Sequence, residues 1–397
     1  MLIRDATYEQ AVGAWAAHLR AGGTTDWSVW CDTRTDLAEH RPTDLAEHRP
    51  GHELRPLPDA VHLELVRRIN LAADGEDVRG LADRVLATAA PGRGLIDVPL
   101  PWPGTPRRFG TPPMHPDQLP EEELIRLAVG VLAHLLPGVP SSAPEVPAAP
   151  WPLPWRRRFR LHGSPGTVAG AREGLLAQGM VETDWRPTHI VLARPVPVMM
   201  AEWWAASVRN GGILKWSTAW RRAEAAGRLP PSIDVADIAE RLSERTTRQV
   251  HVVAADSAER AAALVAAVLR AQPVEIQENG DAAVSDLLRR LNRLTVLTHG
   301  PGSVRELART LAATLDQPAA PAHSIDSPAP PAPATGWALD QAASTAEAIR
   351  RAGYAVHGEL DALTPTDHRL PGTVDRGRTL ELAVTACLRS WHLRGSS

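Results

Sequence analysis

Three short apolar, β-branched runs, each leading into a helix-periodic segment, constrain this chain's fold more than any other feature. They are residues 158–162, 188–193 (Thr-His-Ile-Val-Leu-Ala) and 249–254 (Gln-Val-His-Val-Val-Ala). Helical periodicity follows each run, at about 167–178, 198–209 and 257–271, with further helices at 216–226, 234–245, 281–292 and 303–315. Short runs of this kind alternating with helices predict an α/β fold: a parallel sheet with flanking helices.

Proline marks the edges of this region. Residues 137–155 and 316–335 are Pro/Ala-rich tracts, expected to be extended and semi-rigid. Ahead of the first, helical patterns at 6–21, 59–72, 76–89 and 121–136 make residues 1–136 a helical N-terminal domain. The α/β domain then covers 156–315. Residues 336–397 carry helices at 338–352 and 376–392 around a short extended Tyr354–His357, and are expected to pack on the α/β domain. Within the N-terminal part, Thr-Asp-Leu-Ala-Glu-His-Arg-Pro occurs twice in tandem, at 35–42 and 43–50. Eight residues are too few for a solenoid unit, so the repeat reads as a duplication in an exposed loop. Its His40 and His48 have no metal-site spacing, and no metal is expected.

The charge balance excludes some function classes. Lys215 is the sole lysine among 43 basic residues, and the net charge is −3 over 397 residues. That balance gives no bulk electrostatic case for DNA or a membrane surface. No apolar stretch reaches the roughly 20 residues of a membrane span, and residues 1–9 lack an apolar signal core. Cys31 and Cys387 stand far apart without a CxxC partner. A cytoplasmic location is the expectation.

The motif-like segment is His162-Gly-Ser-Pro-Gly-Thr-Val-Ala-Gly170, at a strand–helix junction. It has three readings. As the oxyanion loop of an α/β-hydrolase it would need a nucleophile elbow downstream; Ser303, in Gly-Pro-Gly-Ser-Val-Arg305, has an arginine where a small residue is required. As a phosphate cradle it would present backbone N–H groups at a helix start. As plain architecture, Gly163, Gly166 and Gly170 make a tight turn.

The second reading is carried further by order and spacing. Gly163, Pro165 and Thr167 are followed by Leu192-Ala-Arg194, by Trp204-Ala-Ala-Ser-Val-Arg-Asn-Gly211 and by Leu214-Lys-Trp-Ser-Thr-Ala-Trp220. Val250–Ala255 and Tyr354-Ala-Val-His-Gly-Glu-Leu-Asp-Ala-Leu363 come after them. Over about 158–365 this resembles the bacterial sulfotransferase family, its actinobacterial branch above all. The resemblance implies a P-loop-like fold and a donor site for 3′-phosphoadenosine 5′-phosphosulfate (PAPS) or its product adenosine 3′,5′-bisphosphate. It places Gly163, Ser164, Gly166, Thr167 and Arg194 at that site, with Arg194 on the 3′-phosphate. Gly166 stands in the family's lysine slot, Val168 in a glycine slot, and Ala169 and Gly170 replace two threonines. Sulfuryl transfer needs positive charge on oxygens that gain it as the bond breaks. A pseudoenzyme with a degenerate donor site, binding a protein partner or a nucleotide, is therefore expected; an active PAPS-dependent sulfotransferase would need Arg160, Arg172 and Arg194 to converge on the loop.

His189, His251 and His357 fall on strands and read as structural residues before catalytic ones. Trp15, Trp27 and Trp30 are expected to form a small core. A partner-binding protein would show an exposed tryptophan near Trp203 or Trp102. The run Trp155-Arg-Arg-Arg-Phe-Arg160 reads first as a charged strand edge, and otherwise as a contact for phosphate or nucleic acid.

Overall fold

The computed structural model describes residues 8–37, 59–92, 94, 98–102, 111–139, 157–274, 281–298, 301–315, 335–364 and 374–395. The tandem octapeptide, with His40 and His48, and most of both proline-rich tracts lie outside them. By internal contacts the chain forms two compact units: unit 1 from Met1–Ser141, Arg293–Gln317 and Arg376–Ser397, and unit 2 from Ser142–Asn292 and Pro318–Asp375.

Unit 1 is helical. It contains α1 (Tyr8–Arg20), α2 (Trp27–Leu37), α3 (Ala60–Ala73), α4 (Arg79–Ala87), α5 (Glu121–Leu135), α12 (Pro301–Leu315) and α14 (Arg376–Gly395). The expectation that residues 336–397 pack as one block on the α/β part is corrected here. The long helix α14 packs chiefly on α5, and also on α3 and α12. Its buried Leu380, Ala383, Val384 and Cys387 find apolar partners there because α5 is buried along nearly its whole length. Trp15 and Trp27 form the aromatic centre, 5.1 Å apart, while Trp30 stacks on His18 instead.

Unit 2 holds the sheet. Its elements are β1 (Arg158–Gly163), α6 (Pro165–Ala177), β2 (Val181–Glu182), β3 (Thr188–Ala193), α7 (Val196–Arg209), α8 (Trp216–Ala226), α9 (Val235–Arg245), β4 (Val250–Ala254), α10 (Ala258–Leu269), α13 (Thr335–Ala352) and β5 (Ala355–Gly358). The five strands run parallel in the order β2-β1-β3-β4-β5. Pairing of Leu161 with Ile190, and of Leu192 with Val253, lines up one apolar face. That face packs with Phe159 against α6 and α10, and α9 packs against strands β1, β3 and β4. The two-residue β2 has no apolar run of its own, which is why periodicity passes over it.

One helical motif occurs twice, at a longer period than the tandem octapeptide. Trp15 Nε1 donates to Thr25 O (3.1 Å), and Trp204 Nε1 to Leu214 O (2.8 Å). Each tryptophan packs on a second one twelve positions on, Trp27 at 5.1 Å and Trp216 at 5.7 Å. Between them both helices end at a Gly-Gly pair whose first member is left-handed, Gly22 at φ 92° and Gly211 at φ 95°. The same four inward positions are buried: Val12, Trp15, Ala16 and Leu19 in α1; Ala201, Trp204, Ala205 and Val208 in α7. A later helix then supplies an asparagine. Asn70 Nδ2 donates to Leu19 O and Gly23 O (2.7 and 2.8 Å); Asn292 Nδ2, on α11 (Ala282–Thr298), donates to Val208 O and Gly212 O (2.7 and 3.0 Å). Six residues ahead of each asparagine a carboxylate clamps two arginines: Glu64 with Arg67 and Arg68, Asp286 with Arg289 and Arg290. The next helices share Val-Arg-x-Leu-Ala, at 78–82 and 304–308. The helical framework is thus written twice: β1, β2 and β3 lie between the two sets, β4 within the second, and β5 after it.

Each asparagine holds two buried carbonyls at a helix end. Asn70→Ala and Asn292→Ala should each cost about 1–3 kcal/mol, because orphaned buried carbonyls lose more than one ordinary hydrogen bond. Urea unfolding of the two variants measures both losses, and the shared geometry requires them to be of similar size.

Candidate functional site

The site builds from the strand–helix turn after β1. Gly163 closes the strand at φ 102°, in the left-handed region, and a Cβ there would sit 2.2 Å from Leu192 O. Backbone meets backbone at that point, so only glycine lets β1 approach β3 before the chain turns. Ser164 and Pro165 then start α6, Pro165 having no N–H to lose at the first helical turn.

A helix start leaves N–H groups without intrahelical partners and carries a partial positive charge. Here a side chain of the same unit takes them up. Glu202, on α7, directs its carboxylate at the turn. Its Oε2 accepts from Ser164 Oγ (2.6 Å), Gly166 N (2.7 Å) and Thr167 N (2.9 Å). Its Oε1 accepts from Thr167 Oγ1 (2.9 Å) and Arg194 Nη1 (3.2 Å). Arg194, 4% exposed at the carboxyl end of β3, also donates to Asp256 O (3.3 Å). Two backbone N–H groups, two hydroxyls and a guanidinium thus converge on one carboxylate. These are the donor types that hold a phosphate in a cradle of this layout.

Gly166 has a steric reason to be small. A Cβ on Gly166 would lie 3.0 Å from the Glu202 carboxyl carbon, tighter than ordinary van der Waals contact. The small residue and the inserted carboxylate belong to one arrangement.

Four of the five expected site residues, Ser164, Gly166, Thr167 and Arg194, therefore come together around one centre, and Gly163 sets the turn that places them. The other two arginines go elsewhere. Arg172 Nε lies 2.8 Å from Glu182, and Arg160 lies 3.6 Å from both Glu182 and Asp184. Lys215 is exposed at the start of α8. Glu202 is the residue that reading by motif passes over. Its signal is composition: it is the one charged side chain in the run Val-Pro-Val-Met-Met-Ala-Glu-Trp-Trp-Ala-Ala-Ser-Val that opens α7. Trp204, Val208, Arg209 and Gly211 have a packing reason for their spacing, because Trp15, Leu19, Arg20 and Gly22 reproduce it in unit 1, whose described residues form no sheet.

The strand histidines pair. His162 Nε2 and His189 Nδ1 lie 3.3 Å apart across β1 and β3; His251 Nδ1 and His357 Nε2 lie 3.0 Å apart across β4 and β5. Burial first, then the neighbouring His189 and Arg160, push His162 down from 6.5 to about 4. Burial also lowers His189 and His251. Among the described residues no group of three His, Cys, Asp or Glu side chains could hold a metal ion, and no helix is long and apolar enough to cross a membrane.

Two outcomes follow. Gly163→Ala should cost about 2–4 kcal/mol, since a left-handed backbone and a backbone clash add together; thermal melting measures it. A histidine whose folded pKa lies below its unfolded value binds its proton more readily when unfolded. Stability should then fall as pH drops from 6.5 through about 4. His162→Gln should flatten the pH dependence of Tm in that window.

Comparison with protein-family models, with curated proteins and with solved structures gave no match.

Proposed function

We propose that unit 2 is a non-catalytic scaffold, sulfotransferase-like in layout, whose donor-type turn is filled by its own Glu202 carboxylate and whose working role is to bind a partner. The observation that carries this reading is the five-donor set on Glu202. A phosphate or sulfuryl group needs those same donors. An anion entering the turn would have to displace a carboxylate bound by charge-assisted hydrogen bonds, each about twice as strong as a neutral one. The turn also offers no group to stabilise a leaving phosphate: Arg160 and Arg172 are held at Glu182, and Arg194 is already neutralised.

The rival reading is an active PAPS-dependent sulfotransferase in which Glu202 swings away and Arg194 turns to the nucleotide. Calorimetric titration of the full chain with adenosine 3′,5′-bisphosphate separates the two. No binding at millimolar ligand is the expected result. Micromolar binding that disappears in Arg194→Ala would overturn the scaffold reading. Glu202→Ala should lose about 3–5 kcal/mol of stability, because it leaves the Arg194 guanidinium buried without its counter-charge; a small loss would mean that the carboxylate is not part of the folded framework.

A further inference from the structure

The opposite end of the same sheet carries an exposed tryptophan ringed by arginine. Trp185, in the turn between β2 and β3, is 60% exposed and is the one aromatic among the exposed large hydrophobic residues described. The Arg158 guanidinium lies 4.0 Å from its ring centroid and that of Arg186 5.8 Å. A hydrogen bond ties a further arginine to this surface. Arg248 Nη1 donates to Arg186 O (2.9 Å). Arg158, Arg186 and Arg248 come from the amino ends of β1, β3 and β4.

None of these three forms an ion pair with a carboxylate among the described residues. The nearest acids are engaged elsewhere: Asp184 with Arg160, and Glu182 with Arg160 and Arg172. Arg158 Nε is moreover buried without a hydrogen-bond partner. Gathering three guanidiniums without counter-charge costs self-repulsion, and an exposed indole costs apolar hydration. One class of ligand relieves both.

We propose that this surface binds single-stranded nucleic acid, a base stacking on Trp185 and the backbone phosphates pairing with the arginines. Guanidinium forks match phosphate oxygens, and an open indole face accepts any base. A run of acidic residues alone would answer the charge but offers no ring for Trp185. The overall charge of −3 does not oppose this, because the relevant field is the local one. The site lies at the amino ends of the strands, away from the α6 turn, and stands whether or not that turn takes a nucleotide.

The test is fluorescence anisotropy of the full chain with labelled oligo(dT) and oligo(rU) of about 20 nucleotides, long enough to span such a surface. Affinity should fall between about 50 and about 200 mM salt, with a log–log slope of about −0.7 per phosphate contacted. Trp185→Ala should weaken binding about tenfold, the size of one lost base stack. Arg186 has a left-handed backbone, at φ 49°; asparagine tolerates that conformation. Arg186→Asn with Arg248→Gln should therefore keep the fold, checked by circular dichroism and melting, and reduce the salt slope by about 1.4, twice the single-phosphate value. Absence of binding at the lower salt would overturn the proposal. So would binding unchanged in Trp185→Ala, and so would displacement by polyglutamate at equal charge, which would assign the surface to an acidic polypeptide.

Discussion

The Glu202 carboxylate holds together parts of unit 2 that nothing else joins so tightly. It ties α7 to the first turn of α6 and, through Arg194, to the end of β3. Arg194 is buried and the Glu202 side chain nearly so, and leaving the Arg194 guanidinium alone at such depth would cost several kcal/mol. The N–H groups of α6 need an acceptor, Arg194 needs an anion, and Gly166 leaves room for both. The polar chemistry at this end of the sheet is spent on architecture, and that leaves the arginine-rich opposite end as the surface with charge to offer.

Much of this fold can be read from the chain. The β-branched runs gave three strands at their observed places, and the alternation with helices gave the parallel sheet. The partition into units was not readable in the same way, because it depends on which apolar faces meet. Helices α12 and α14 follow the sheet in sequence, but α14 packs on α5 and α3, and α12 packs on α14; linear composition says nothing about partners 250 residues apart.

The candidate site divides along the same line. Glycine and proline in the turn were legible because backbone geometry demands them, and Arg194 only through the resemblance, which set it on a 3′-phosphate. Glu202 was not, because a carboxylate reaches this turn only once α7 lies beside α6. The doubled helical motif shows the converse difficulty. Trp-x11-Trp around Gly-Gly, and Arg-Arg-x-Asn after an acid, are visible in the letters. They lie roughly 190 and 220 residues apart, with unequal insertions between, so a search at one fixed period does not align them. Their hydrogen bonds do, since both asparagines serve the same two carbonyl positions.

The placement of β5 has a consequence for how the chain matures. Strand β4 pairs with β5 through His251 and Ala355, about a hundred residues later, whereas β1 and β3 meet within thirty. During synthesis the first four strands can assemble and bury their apolar face while β5 has still to emerge. Until it arrives, β4 is a bare edge with unsatisfied N–H and C=O groups. Closure by so distant a partner makes the last strand the slow step in the assembly of the sheet, and a nascent chain halted before Ala355 would be the form most exposed to pairing with its neighbours.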